Sequence, residues 1–279
     1  MKIVKYLVVL VGCLAFQHAQ SQSFSGVATY QSVTSMKEFE DRAPRDMSAE
    51  QRKRMEDFLK RQLNKTYVLT FDKESSIYKE DEQLTSPDAG GRRGMFGAMN
   101  STGDYYKNVS TGMLINQREF FGKNFLIKDS LPKLDWKLTG ETKKIGQYNC
   151  YKATATKTMP STEMFRPRRG GDNNDEAQND APKEVTITAW YTMDIPVKQG
   201  PGEYWGLPGL ILEVSDGRTV LLCSTITLNP SDKEEIEVPS KGKEVTQDEF
   251  NDIMVKKMKE VRENFRNRRG GGGFGGRLI

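Results

Sequence analysis

The 279-residue chain has a formal net charge of +4, from 42 Lys and Arg against 38 Asp and Glu, which leaves no strong bias toward nucleic acid. Its single histidine, His18, restricts the chemistry further, because histidine usually supplies the general base, the triad partner or a zinc ligand at neutral pH. The length is sufficient to bury one sizeable core, and no change in composition divides the chain in two.

The first residues are typical of a secretory signal peptide. A basic start precedes an apolar run at residues 6–16, and the small residues Ala-Gln-Ser follow at residues 19–21. We therefore predict a signal peptide at residues 1–21 and a periplasmic or outer-membrane-associated location. Because its removal takes away His18, the mature chain has no histidine for a serine hydrolase triad or a histidine zinc site.

An alternative interpretation of the same region is a lipid anchor. Residues 10–13, Leu-Val-Gly-Cys, match a bacterial lipobox, which would leave a lipidated Cys13 at the mature terminus. The apolar run is too short to span a bilayer, and no other apolar stretch of about twenty residues follows it. We predict no transmembrane segment in the mature chain.

Local periodicity predicts a strand, then a helix, at the start of the mature chain. Residues 24–33 are rich in β-branched and aromatic residues, which favours a strand. Ser48 and Gln51 have the spacing of a capping box, and apolar residues at helical spacing predict a helix at residues 49–63.

Most of the remaining chain predicts an antiparallel meander. Short alternating segments separated by turn residues favour sequential antiparallel pairing, with Leu138 and Cys150 on the buried side. Asp216-Gly217 predicts a hairpin with a type I′ turn. Polar, glycine-rich residues predict flexible loops at residues 82–103 and 160–183. The predicted strands are residues 66–71, 74–79, 105–110, 113–120, 125–129, 136–143, 147–157, 185–191, 210–214 and 219–227.

The C-terminal region predicts an amphipathic helix. Thr246 and Glu249 form a second capping box, and an apolar stripe from Phe250 to Phe265 follows it. Residues 266–279 are rich in Gly and Arg and predict a flexible tail. The sequence therefore predicts a single domain at residues 22–265. Its class is α+β, mostly β: a curved antiparallel sheet with a helix near each end.

The Gly/Pro segment (residues 200–213) combines glycines and prolines, which interrupt regular secondary structure, with large apolar residues. Its glycines permit positive φ or close backbone approach, and its prolines withhold amide donors from any ladder. One interpretation is a bend that plugs the core. The other is an apolar lip that binds a ligand through Tyr204, Trp205, Leu207 and Leu210.

The hexapeptide Gly206, Leu207, Pro208, Gly209, Leu210, Ile211 is the signature of the GLPGLI family, and the chain resembles that family. The likeness extends to Trp136, to the block at residues 145–153 and to Trp190-Tyr191. It implies a Bacteroidota envelope protein whose biochemical role is not known. More loosely, the chain is similar to the half-barrel of periplasmic lipoprotein carriers, and that likeness is one of fold alone.

The remaining reactive residues allow competing interpretations. Cys150 and Cys223 would form one disulfide in an oxidising compartment or remain buried thiols. Asp194, Glu203 and Glu213 would form an acid pair in a carboxylate-dependent hydrolase, or serve as ordinary turn and surface groups. The acidic residues 172–176 lack EF-hand spacing, so no metal site and no cofactor is predicted.

These observations predict an exported, non-enzymatic envelope protein that binds a hydrophobic ligand or a polypeptide segment. Two alternatives stay open: an interaction module for an outer-membrane transporter or assembly, and the carboxylate-dependent hydrolase.

Overall fold

The computed structural model describes residues 24–36, 47–81, 103–159, 183–232 and 235–270. The predicted signal peptide, Cys13 and nearly all of the two predicted flexible loops lie outside these residues.

The described chain forms a curved, unclosed sheet of twelve strands with two helices, which confirms the mostly β fold class. The strands are β1 (Ser25–Thr34), β2 (Thr66–Asp72), β3 (Ser75–Glu80), β4 (Asp104–Asn108), β5 (Met113–Phe120), β6 (Lys123–Ser130), β7 (Lys137–Ile145), β8 (Tyr148–Met159), β9 (Lys183–Thr192), β10 (Leu210–Ser215), β11 (Thr219–Leu228) and β12 (Lys243–Val245). The helices are α1 (Ala49–Leu63) and α2 (Gln247–Gly270). The strand order is β12-β6-β5-β4-β3-β2-β1-β11-β10-β9-β8-β7.

The pairing follows the predicted meander except at two places. Strands β6 and β7 are consecutive in the chain but do not pair, and β1, which pairs with both β2 and β11, joins the two halves of the sheet. Neighbouring strands pair antiparallel, but β12 pairs with β6 in parallel. With only three residues, β12 is too short to show an alternating pattern, and the sequence does not predict it.

The type I′ prediction at Asp216-Gly217 is wrong. That turn requires positive φ at both central residues, and of this pair only Gly217 has it, at 81°. Three residues separate β10 from β11, and the Asp216 carboxylate accepts hydrogen bonds from the Arg218 and Thr219 amides at 2.9 and 2.6 Å. Positive φ at both positions occurs instead at Phe121 and Gly122, between β5 and β6.

Leu138 was predicted to be buried, and its side chain is 64% exposed. The two-residue spacing of Trp136 and Leu138 predicts one buried face, but β7 is the last strand in the order and no element covers its outer side among the described residues. Cys150, on the neighbouring strand, is fully buried as predicted.

Both helices begin at the predicted capping boxes. The Ser48 hydroxyl accepts from the Gln51 amide, and the Gln51 side chain accepts from the Ser48 amide. At α2 the equivalent bonds join Thr246 and Glu249 at 2.9 and 3.2 Å. The structure extends α2 to Gly270, five residues into the predicted tail, because the first glycine after the apolar stripe is Gly270 itself. Among the described residues, neither helix combines the length and apolarity needed to cross a bilayer.

The β9–β10 connection (residues 193–209) lies on the concave face of the sheet. Ser76 on β3 and Lys107 on β4 are register partners, and both hydrogen-bond to this connection. Strands β4 and β10 are five spacings apart in the strand order, about 24 Å along a flat sheet. The sheet therefore curls around the connection, which occupies the concavity between these strands.

Candidate functional site

The hexapeptide at residues 206–211 owes its composition to backbone fit and core packing. Gly206 has a φ of 95°, a conformation that side chains rarely adopt. Gly209 has so close a neighbour that an added Cβ would lie 1.9 Å from the Thr192 carbonyl oxygen. Leu207, Leu210 and Ile211 are all buried.

The buried side chains of this hexapeptide join two core clusters. Leu210 packs with Tyr30, Leu69 and both cysteines, and the Tyr30 hydroxyl donates a 2.6 Å hydrogen bond to the Ile211 carbonyl. Leu207 packs in a second cluster formed largely by β8, β9 and β10. This placement agrees with the interpretation of the segment as a plug of the core.

Lys107 holds the β9–β10 connection against β4. Its side chain is only 1% exposed. Its Nζ donates to the carbonyl oxygens of Gly200, Gly202 and Tyr204, the last two at 2.7 and 3.2 Å. An ammonium group has three donors and no acceptor, so these three carbonyls satisfy it completely. One side chain thus fixes the path of five consecutive backbone residues.

The β9–β10 connection also supplies the negative charge that acts on Lys107. Burial lowers the pKa of Lys107 to about 7, and the negative charge of Glu203 partly offsets this effect. The Glu203 carboxylate itself forms an ion pair with Lys157 on β8. The connection is therefore tied to β4 by Lys107 and to β8 by Glu203.

The lowered pKa of Lys107 predicts a pH dependence of stability. In the unfolded chain a lysine keeps its proton until about pH 10.4. Between about pH 7 and that value the unfolded state binds more protons than the fold, so the free energy of unfolding should rise with pH. Urea denaturation at about pH 6.5 and about pH 9.5 measures this rise, which the Lys107→Met variant should lack. Equal pH slopes in the two proteins would contradict it.

A group of four aromatic residues borders the connection, and we call it the aromatic rim: Trp136, Tyr151, Tyr204 and Trp205. Trp136, Tyr151 and Tyr204 are half-buried and pack against the cluster that contains Leu207. Trp136 Nε1 donates to the Trp205 carbonyl at 2.9 Å, and Trp205 Nε1 donates to the Pro132 carbonyl at 2.6 Å. These two hydrogen bonds join the β9–β10 connection to the segment that precedes β7.

The aromatic rim continues to the open edge of the sheet. Leu138 on β7 lies opposite Ala153, a buried member of the Leu207 cluster. Because directly opposed residues of an antiparallel pair share a face, the exposed Leu138 extends this apolar surface to the last strand.

The predicted ligand-binding residues divide into two pairs. Leu207 and Leu210 are 2% and 0% exposed, whereas Tyr204 and Trp205 are half-buried. Only the aromatic pair is accessible at the surface. No signal in the sequence identifies Lys107, and the sequence predicts a buried Leu138. The contacts of Lys107 and the exposure of Leu138 both depend on strand order.

Two of the three candidate carboxylates are engaged in separate ion pairs. Glu203 pairs with Lys157, whereas Glu213 pairs with Lys143 at 2.6 Å, so a different lysine neutralises each carboxylate. Cys150 and Cys223 are free thiols that share the cluster containing Leu210, and burial raises the pKa of Cys150 to about 11. Their disulfide stays a prediction. The described residues contain no group of three or more His, Cys, Asp or Glu side chains that could hold a metal ion.

Comparison with known proteins supplies a family model and two structures. A model described as "Protein of unknown function (Porph_ging)" matches residues 136–213, from Trp136 to the middle of β10. No curated protein matches the sequence. The solved structures described as "Structure of PNGF-II in C2 space group" and "Structure of PNGF-II in P21 space group" are similar at 16% identity, with TM-scores of 0.47 and 0.46. The similarity covers 85% and 84% of this chain but spans only 33% of either of those chains.

Proposed function

We propose that the protein is an exported, non-enzymatic envelope protein that binds an extended polypeptide segment beside β7, with the aromatic rim contacting its side chains. The observation that carries this proposal is the free edge of the sheet. Among the described residues, strand β7 has nine residues and only β8 as a partner, whereas the opposite edge, β12, has three residues.

An unpaired edge strand offers backbone donors and acceptors to another chain. Peptides that add a strand to such an edge gain affinity from main-chain hydrogen bonds and specificity from side-chain contacts. A register shift between Leu138 and Thr142 divides this edge, with a φ of 77° at Gly140. The regular pairing surface is therefore residues 142–145, and Leu138 stands beside it. This length suits a short linear segment better than a whole domain.

The aromatic rim supports the proposal because it places large apolar surface next to that edge. Half-buried aromatic residues supply much of the energy of peptide recognition, since they bury large areas with few rotatable bonds. Tyr204 and Trp205 belong to the originally predicted ligand-binding set. Since Leu207 and Leu210 are buried, a small apolar ligand would have to displace the core to reach them, and a segment docked on the surface would not.

The proposed location in the cell envelope rests on the predicted signal peptide and on the resemblance to the GLPGLI family. The apolar run at residues 6–16 supports export, and Gly206 to Ile211 support the family. A segment of an outer-membrane transporter or assembly protein is a natural partner in that compartment. In that case the interaction-module alternative and this proposal involve the same surface.

Site-specific crosslinking tests the proposal. A photoreactive amino acid at Leu138 should crosslink in intact cells to one defined segment, and the same probe at Val33 should not, although Val33 is 53% exposed. The crosslinked segment is then identified by mass spectrometry and synthesised as a peptide. Its binding should change tryptophan fluorescence, because Trp136 and Trp205 lie in the aromatic rim.

Point variants make the binding measurement specific. We expect Leu138→Asp to weaken peptide binding about tenfold or more, and Val33→Asp to leave it within about twofold. Both residues are exposed, so neither change should unfold the protein. Equal crosslinking from the two positions, or a peptide affinity that is unchanged in Leu138→Asp, would contradict the proposal.

A further inference from the structure

The charges along β7 are unevenly compensated. The strand carries Lys137, Lys143 and Lys144 against a single acid, Glu141. Lys143 is neutralised by Glu213, and Glu141 is neutralised by Lys152 at 2.9 Å. Lys137 and Lys144 have no acidic partner among the described residues. Both of these side chains are exposed.

Lysines on an edge strand normally discourage pairing. A neighbouring strand would bury part of each ammonium group, and burying a charge without a partner is unfavourable. A second copy of this chain, pairing through its own β7, would bring the same excess of lysine to the interface. The two uncompensated lysines therefore act against self-association and against neutral strands, and they leave one class of strand that can bind without that cost.

We infer that the segment bound beside β7 is acidic, with carboxylates that meet Lys137 and Lys144 at the two ends of the strand. This inference rests on the proposed function and adds the chemical class of the partner. Lys137 and Lys144 lie opposite Thr154 and Asn149 of β8, so the register shift in β7 reduces their separation to that of five residues of a regular strand, about 17 Å. A partner must therefore carry its acidic groups about five residues apart, on either side of the apolar residue that contacts Leu138.

The local ion pairs explain why these two lysines, and not their neighbours, select the partner. Lys143 lies over the Trp190 ring at 4.4 Å as well as against Glu213, so its charge is already engaged on the sheet. Lys152 lies over the same ring at 5.9 Å and binds Glu141. A new carboxylate would have to compete with these contacts at Lys143 or Lys152, whereas no carboxylate of the described residues competes for Lys137 or Lys144.

A charge-swap experiment tests the inference. Three synthetic nine-residue peptides share one apolar pattern and carry Glu, Gln or Lys at two positions that are five residues apart. At low salt we expect the Glu peptide to bind the full chain about tenfold more tightly than the Gln peptide, with the Lys peptide weakest. The preference should shrink at about 0.5 M salt, because exposed charges are screened.

The matched variant reverses the preference. In Lys137→Glu/Lys144→Glu the Lys peptide should become the tightest of the three, and the control Lys79→Glu/Lys128→Glu, at exposed lysines on β3 and β6, should keep the wild-type order. Thermal unfolding of both variants checks that the fold is kept. Peptide binding that depends on Leu138 but not on charge overturns this inference and leaves the proposed function standing. If none of the peptides binds and the crosslinking also fails, both are overturned.

Discussion

Replacing Lys107 with methionine is expected to destabilise the fold by about 3 kcal/mol or more. Methionine has similar length and keeps the apolar contacts of the lysine stem, but it leaves the carbonyls of Gly200, Gly202 and Tyr204 without their donor. A buried polar group without a partner costs about 1–3 kcal/mol, and three carbonyls lose the same donor together. Urea denaturation of the variant and the wild type measures the difference in the free energy of unfolding.

The matched control is Lys79→Met on the neighbouring strand. Lys79 is exposed, so its replacement should change stability by less than about 0.5 kcal/mol. Hydrogen exchange then locates the defect, since amides at residues 198–206 should lose protection in Lys107→Met well before those of β1 and β2. If the free energy of unfolding of Lys107→Met lies within about 1 kcal/mol of the wild-type value, Lys107 does not hold the connection.

Local features of the fold were accessible from the sequence because they depend on neighbours a few residues apart. The capping box at Ser48 and Gln51 and the alternation in β9 are of this kind, and both were confirmed. The interpretation of the hexapeptide as a plug also needed only its own composition, since glycines and prolines predict a bend and the apolar residues beside them predict burial.

Long-range features could not be predicted in the same way. Lys107 binds carbonyls 93 to 97 residues away, and nothing in the Tyr-Tyr-Lys pattern of β4 distinguishes this lysine from one in solvent. The spacing of Trp136 and Leu138 predicted a buried Leu138, but burial depends on whether another strand follows β7 in the sheet. The candidate site therefore consists mainly of residues whose position is set by strand order, with Tyr204 and Trp205 as the exceptions that composition identified.

Replacing Gly209 gives the second large expected effect, because the backbone of β9 leaves no room for a side chain at this position of the hexapeptide. An alanine Cβ at residue 209 would lie 1.9 Å from the Thr192 oxygen and 2.6 Å from its carbonyl carbon. Both are backbone atoms where β9 ends, so they cannot rotate away as a side chain would. We expect Gly209→Ala to cost about 3 kcal/mol or more, at the upper end of overpacking effects.

The other glycine of the hexapeptide provides a graded comparison. At Gly206 an added Cβ meets nothing nearer than 3.9 Å, so Gly206→Ala carries only the cost of the left-handed conformation, about 1–2 kcal/mol. Gly217→Ala has the same backbone requirement with no neighbour within 4 Å and should behave alike. Urea midpoints should therefore rank Gly209→Ala as the least stable, with the other two similar to each other. A Gly209→Ala protein as stable as Gly206→Ala would show that the chain relaxes at Thr192, and the hexapeptide would then lose its role as a rigid plug of the concave face.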